Sequence, residues 1–164
     1  MRPSGDHLLV LETRARREGT GLTSRDLIGR WQLHTVWPKG TARPAAFNSS
    51  LLRGLGAALA FTPLDTAPNA PLRITNTVSL GRLELSFVGQ AELSGRRPLL
   101  RFHFEWLRLR LGERLLFERG LPRPEERRRP FFALIGIGPQ GGWLAARGRG
   151  GGLALWCRSE APAR

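Results

Sequence analysis

From Gly81 to Leu111 the chain keeps an apolar period of two, and this constrains the fold more than any other feature. Leu83, Leu85, Phe87, Ala91 and Leu93 alternate with Arg82, Glu84, Ser86, Gln90 and Glu92. After Ser94-Gly95-Arg96-Arg97, Leu100, Phe102, Phe104 and Trp106 alternate with Arg101, His103 and Glu105. Successive strand residues point to opposite faces, so the pattern describes a hairpin with one apolar and one polar face. A helix would need apolar spacings of three and four. The phase then shifts, because Leu107, Leu109 and Leu111 continue on what had been the polar register. A bulge near Trp106 would return them to the apolar face and push Arg108 and Arg110 outward.

The rest of the chain reads mostly as more short strands. Residues 6–18 are the exception: Leu8, Leu11 and Ala15 form a helical stripe, Asp6 is a candidate N-cap, and Glu12 and Arg16 stand at i,i+4. Thr23-x-x-Asp26 has the form of a capping box opening one turn through Leu27 and Ile28. Gly29 breaks that turn, and Trp31, Leu33, Thr35 and Trp37 are expected on one face of a first strand that Pro38 ends. Residues 44–61 allow either a helix capped by Asn48 or Ser49 and running through Leu51, Leu52, Leu55 and Leu59, or a strand from Ala57 to Leu64. Leu72 to Leu80 alternates as a strand. Further strands are expected at Arg114–Arg119, Pro130–Ile137, Trp143–Arg147 and Leu153–Arg158.

Short strands, Gly- and Pro-rich turns and few helices indicate a mainly β antiparallel barrel or sandwich. The expected division is a helical segment at 1–22, the β domain at 23–159 and a tail at 160–164. At 164 residues with 41% hydrophobic and 24% charged side chains, the chain is apolar enough to bury a core. No stretch reaches the roughly 18 apolar residues a membrane helix needs. The apolar run Leu8–Leu11, flanked by Asp6 and Glu12, is too short for a secretory signal. An intracellular protein is expected, free or peripheral to a membrane.

The net charge of +13 invites a nucleic-acid reading. Yet Lys39 is the only lysine among 26 basic residues, and Gly, Ala and Pro are abundant, a bias that GC-rich codons produce. The Arg147-Gly148-Arg149-Gly150-Gly151-Gly152 cluster is a single copy between two apolar segments and fits a hairpin turn. Residues 123–130 carry Arg123, Arg127, Arg128 and Arg129 against two Glu; they suit a solvated loop or a basic lip on anionic lipid headgroups.

Catalytic candidates are few. His7, His34 and His103 lack partners at metal-ligand spacing, so no metal site and no cofactor are expected. His103 is expected to be an exposed strand histidine. Cys157 stands alone, which excludes an internal disulfide, and the chain has no Tyr. A non-enzymatic protein is expected. A barrel of about eight strands either fills its interior with side chains or holds one small apolar molecule. Periodicity does not separate the two. The inward phases place Leu85, Phe87, Phe102, Phe104 and Trp106 on that interior. Trp31 is expected to close the base beneath an Arg158 guanidinium.

Leu27-Ile28-Gly29-Arg30-Trp31-Gln32-Leu33 resembles the Leu-x-Gly-x-Trp-x-Leu opening of the plastid lipid-associated protein (PAP)/fibrillin family and, more loosely, the Gly-x-Trp start of lipocalins. Arg147-Gly148 through Leu153 is similar to that family's closing Arg-Gly-x-x-Gly-x-Leu hairpin, and Asn76 with Val78 resembles its Asn-x-Val strand. The resemblance spans about residues 8–158 and makes Gly29, Trp31, Asn76, Arg147 and Gly148 structural positions, to which the expected base closure adds Arg158. Pro139-Gln140-Gly141-Gly142 departs from the acidic turn common in the family. The resemblance implies a lipocalin-like barrel, in the manner of a cyanobacterial member, that binds prenylquinones, carotenoids or other lipids at or near thylakoids. It brings no catalytic residues. The S-type phycobilin lyases share the Gly-x-Trp start and form the alternative, although Arg101 and Glu105, which a bilin site could use, are expected on the outer face. A basic nucleic-acid module is the second alternative.

Overall fold

Strand pairing accounts for most of the computed structural model, which describes residues 2–40, 57–67 and 69–159. The strands are β1 (Gly29–Trp37), β2 (Ala58–Pro63), β3 (Leu72–Leu80), β4 (Leu83–Ser94), β5 (Leu99–Leu111), β6 (Arg114–Gly120), β7 (Phe131–Ile137), β8 (Trp143–Gly148) and β9 (Leu153–Ser159). All pairings are antiparallel. β4 closes on β5 and β9 on β1, so eight strands form a closed barrel from which only β6 is left out. Closure removes the unpaired edges that an open sheet would expose. For residues 57–64 the strand alternative holds, as β2. The helical alternative capped by Asn48 or Ser49 lies outside the described residues up to Leu55, but its last residue, Leu59, is in β2; the 160–164 tail also lies outside them.

Bulges in β1, β5 and β7 decide which side chains face inward. Phe104 stands opposite Gly89 and Trp106 opposite Val88, so Glu105 is the extra residue in β5. Leu100, Phe102 and Phe104 therefore share the inner phase with Leu107, Leu109 and Leu111, as the phase shift in the sequence required. Gly89 is needed here because a Cβ would collide with the His103 carbonyl. The bulge at His34 in β1 was not legible. It keeps Trp31, Leu33 and Val36 on the inside but turns Trp37 to the outer face, so the expected single face through Thr35 and Trp37 does not form.

The inner core joins Trp31, Phe61, Ile74, Leu100, Leu134 and Leu144, all essentially without exposed surface. Each such side chain contributes roughly 1.5–3 kcal/mol by leaving water. A second cluster, Leu8, Trp37, Ile135, Trp143, Ala145, Leu153 and Leu155, lies outside the wall, where α1 (Gly5–Glu18) packs with Leu8 and Leu11. Ser4, rather than Asp6, caps α1; its Oγ accepts the His7 backbone N–H at 3.2 Å. No helix among the described residues is long and apolar enough to cross a membrane.

Glu12 on α1 is 4% exposed. Its carboxylate accepts from Arg147 Nε at 2.7 Å and Arg147 Nη2 at 2.5 Å, from Arg16 at 2.9 Å and from Arg97 at 3.1 Å. The hydrogen bonds from Arg147 hold its pKa down at about 2, against the opposing effect of burial. Arg147 also donates to the Gly151 carbonyl at 2.6 Å, so one side chain ties the β8–β9 hairpin to the helix.

The opposite end of the barrel is closed by the short helix α2 (Ser24–Leu27) and Trp31. Thr23 N donates to Asp26 Oδ2 at 2.7 Å, completing the expected capping box. The Trp31 indole N–H donates to the Leu27 carbonyl at 2.7 Å. Arg158 pairs with Trp31 across the strands, and its Cζ lies 4.7 Å from the ring centroid. Such a stack contributes about 0.5–2 kcal/mol. Gly29 has φ 132°, and a Cβ there would meet Arg158 Nη1 at 3.1 Å, so glycine makes room for the cap.

Candidate functional site

At the other end of the barrel no helix among the described residues caps the interior, and the pairing of β5 changes there. Its first residues, Leu99–Arg101, pair with β7, whereas Trp106–Leu111 pair with β6. Between them the Phe102 N–H donates to the Pro130 carbonyl at 3.1 Å, and the Leu121 N–H donates to the Glu105 carbonyl at 2.7 Å. The ends of β3, β4 and β5, with β6, therefore run past the rim as a separate antiparallel arm.

Beside the root of this arm lies a cavity of about 290 Å³ lined by Leu33, Val36, Ala57, Leu59, Val78, Phe132, Ala154 and Trp156. Among the described residues, Asn76 is the only polar side chain on its wall apart from the Trp156 indole. Small residues (Ala57, Ala154, Val36 and Val78) leave room here, whereas Trp31 and Phe61 fill the closed end. From Phe132 a chain of aromatic rings leads outward. Phe132 stacks on Phe102 at 5.0 Å, Phe102 meets Phe104 at 5.5 Å, and Phe104 meets Phe87 at 5.4 Å. On the inner side Trp156 lies edge-on to Phe132 at 5.4 Å. Val78, on the cavity wall, stands opposite Leu85 on the arm.

Four of the five expected lining residues thus share the inward phase. Phe102 is buried, and Phe87, Phe104 and Leu85 are half-buried between the cavity and the arm. None of the four touches the cavity directly; Phe102 and Phe104 connect to it through Phe132. Trp106 does not belong with them. The Glu105 bulge turns it to the outer face opposite Val88, where it is 42% exposed. The cavity's own walls, on β1, β2, β3, β7 and β9, are not among the expected lining residues. Their one available signal was register: Trp156 pairs with Leu33, an inward residue of β1.

The basic loop divides in the same way. Arg123 is exposed, and Arg127 and Arg128 lie at the surface near Glu125, at 2.9 Å and 3.8 Å. Arg129 is buried instead, with Nη1 3.4 Å from both Glu92 and Glu126, so it cannot serve a headgroup-facing lip. His103, expected to be exposed, is 4% exposed, with Nε2 3.3 Å from Glu105 Oε1. Arg101 faces outward as expected and donates to Ser94 Oγ at 3.3 Å. The Arg-Gly cluster is a hairpin turn, with the Gly148 N–H donating to the Gly152 carbonyl at 2.8 Å. Arg149 donates to the Arg127 carbonyl at 2.9 Å.

A wider cleft of about 860 Å³ lies at the closed end, between Ser24 and Arg25 on one side and Pro63–Ala67 on the other. Arg158 forms part of its wall, and the Arg158–Trp31 stack separates it from the barrel interior. The mouth cavity reaches into the barrel and is walled almost wholly by apolar side chains. It is the candidate site.

No protein-family model matches this sequence, and no curated protein does. The functional reading rests on the site itself. A wall of aliphatic and aromatic groups with one amide can bind an apolar molecule and orient one polar end.

Proposed function

We propose that the protein is a non-enzymatic binder of an apolar small molecule or lipid at the barrel mouth, in the manner of a PAP/fibrillin-like lipocalin. The observation that carries this is the apolar cavity of about 290 Å³ with the Asn76 amide on its wall. Burial against such walls yields roughly 25 cal/mol per Å² of apolar surface. The Asn76 amide can donate to a carbonyl or accept from a hydroxyl. A prenylquinone or carotenoid head at Asn76, with its chain running along Phe132, Phe102 and Phe104 toward the arm, suits both features. An apolar wall discriminates weakly among prenyl chains, carotenoids and acyl tails. The cavity supports an apolar class of ligand, and extraction from the source would name the molecule. Work at or near a membrane, thylakoids included, belongs to this reading because such ligands reside there.

Extraction of protein purified from its own source with organic solvent, followed by mass spectrometry, tests the reading. Reproducible recovery of one quinone, pigment or lipid, absent after Ala154→Phe fills the cavity, supports it. Clean apo protein from both would overturn it.

A further inference from the structure

Six large apolar side chains crowd the tip of the arm and are 40–66% exposed: Leu80, Leu83, Leu111, Leu115, Leu116 and Phe117. Monomeric proteins seldom leave such a patch uncovered without a use for it. Register places them on both sides of the ribbon. Leu80 faces Leu83, and Leu83 faces Leu111, on the inward phase, while Phe117 faces Leu109 on that same phase. Leu115 faces Arg110 on the other phase, and Leu116 is the extra residue of a β6 bulge. A flat protein partner would cover one face of a ribbon. A lipid layer surrounds an inserted tip on every side.

The charges around the tip point the same way. Arg82, Arg110, Arg114 and Arg119 flank the apolar residues, with long stems that can lie along acyl chains while the guanidinium stays among headgroups. Of the arm's acids, Glu118 is paired with Arg108 at 2.5 Å and Glu84 stands opposite Arg110 in register. Glu113 lies in the β5–β6 turn, beside Arg114. β6 pairs only with β5, so its outer edge keeps backbone groups that require water. That limits the tip to the headgroup level.

We infer that the arm tip is the surface by which this protein docks on an anionic lipid bilayer, and that the apolar inward phase from Leu83 through Leu85 and Phe87 leads from the bilayer to the mouth cavity. This rests on the proposed lipid-binding function and moves the membrane contact away from the Arg123–Arg129 loop, where Arg129 is buried.

Co-sedimentation of the full chain with phosphatidylcholine vesicles, with and without phosphatidylglycerol, tests the inference. Wild type is expected to bind the anionic vesicles, and Leu83→Ser/Leu116→Ser/Phe117→Ser to lose about tenfold or more in partitioning. Arg127→Ser/Arg128→Ser should bind as wild type does. Because the three tip residues are already exposed, circular dichroism and thermal midpoint of the triple variant should match wild type, which separates docking from folding. Titration with a soluble short-chain prenylquinone, without vesicles, separates docking from cavity binding. Quinone binding with no vesicle binding overturns the docking inference alone. Loss of vesicle binding in the Arg127/Arg128 variant but not in the tip variant overturns it too. So does a wild-type dimer that the tip substitutions dissociate in analytical ultracentrifugation, since a second copy would then cover the tip.

Discussion

At the closed end of the barrel, Trp31, Leu27, Phe61 and Leu134 are packed with almost no exposed surface, under an Arg158 guanidinium. At the mouth, the same inward phase leaves a 290 Å³ cavity and runs out onto exposed leucines. Both ends are written in one alternating pattern. Side-chain size and capping make the difference: large rings and a helical turn at one end, alanines, valines and no capping helix among the described residues at the other. The most completely buried side chains thus lie at the end away from the proposed binding site.

The largest effect should come from Trp31→Ala, which empties the base and removes both the indole hydrogen bond and the stack. A loss of about 3–5 kcal/mol is expected, seen as a marked fall in thermal midpoint. If Ala154→Phe at the mouth cost as much, the contrast between the ends would collapse.

Next in size is Glu12→Gln, which leaves Arg147 and Arg97 without their carboxylate and should cost on the order of 3 kcal/mol in chemical denaturation. Glu12 titrates near pH 2 in the folded protein against 4.5 for a free carboxyl. Its depressed pKa makes the folded state bind fewer protons than the unfolded one. The stabilisation is therefore complete above about pH 4.5 and is lost as pH falls toward 2. The Gln variant should lack that acid-side slope.

Smaller still, Leu83→Ser or Leu116→Ser should change stability by no more than about 0.5 kcal/mol each, because neither side chain is buried. A large loss would mean that the arm tip is packed in the folded chain.

Much of this architecture could be read from residues. The hairpin, the bulge near Trp106, the capping box at Thr23, and the Trp31–Arg158 closure all have local signatures or follow from register. Trp106 faces outward, against expectation, because alternation fixes a face only up to a bulge, and the extra residue is Glu105, one place earlier. Trp37 failed for the same reason, with no apolar phase shift to announce the bulge at His34. His103 and Arg129 became buried through tertiary covering that no period encodes. Glu12 did carry a signal, a lone acid at i+4 from Leu8 within an apolar stripe, but its partners Arg97 and Arg147 lie far along the chain. The cavity was least legible of all, since it depends on which side chains from different strands face one another at one level.

The most direct measurement is titration of the purified protein with a short-chain prenylquinone, followed by tryptophan fluorescence. Trp156 lines the cavity, so saturable quenching is expected, and Ala154→Phe should abolish it while keeping the wild-type circular dichroism. Absence of saturable quenching, or equal quenching in the filled variant, would contradict a binding site at the barrel mouth.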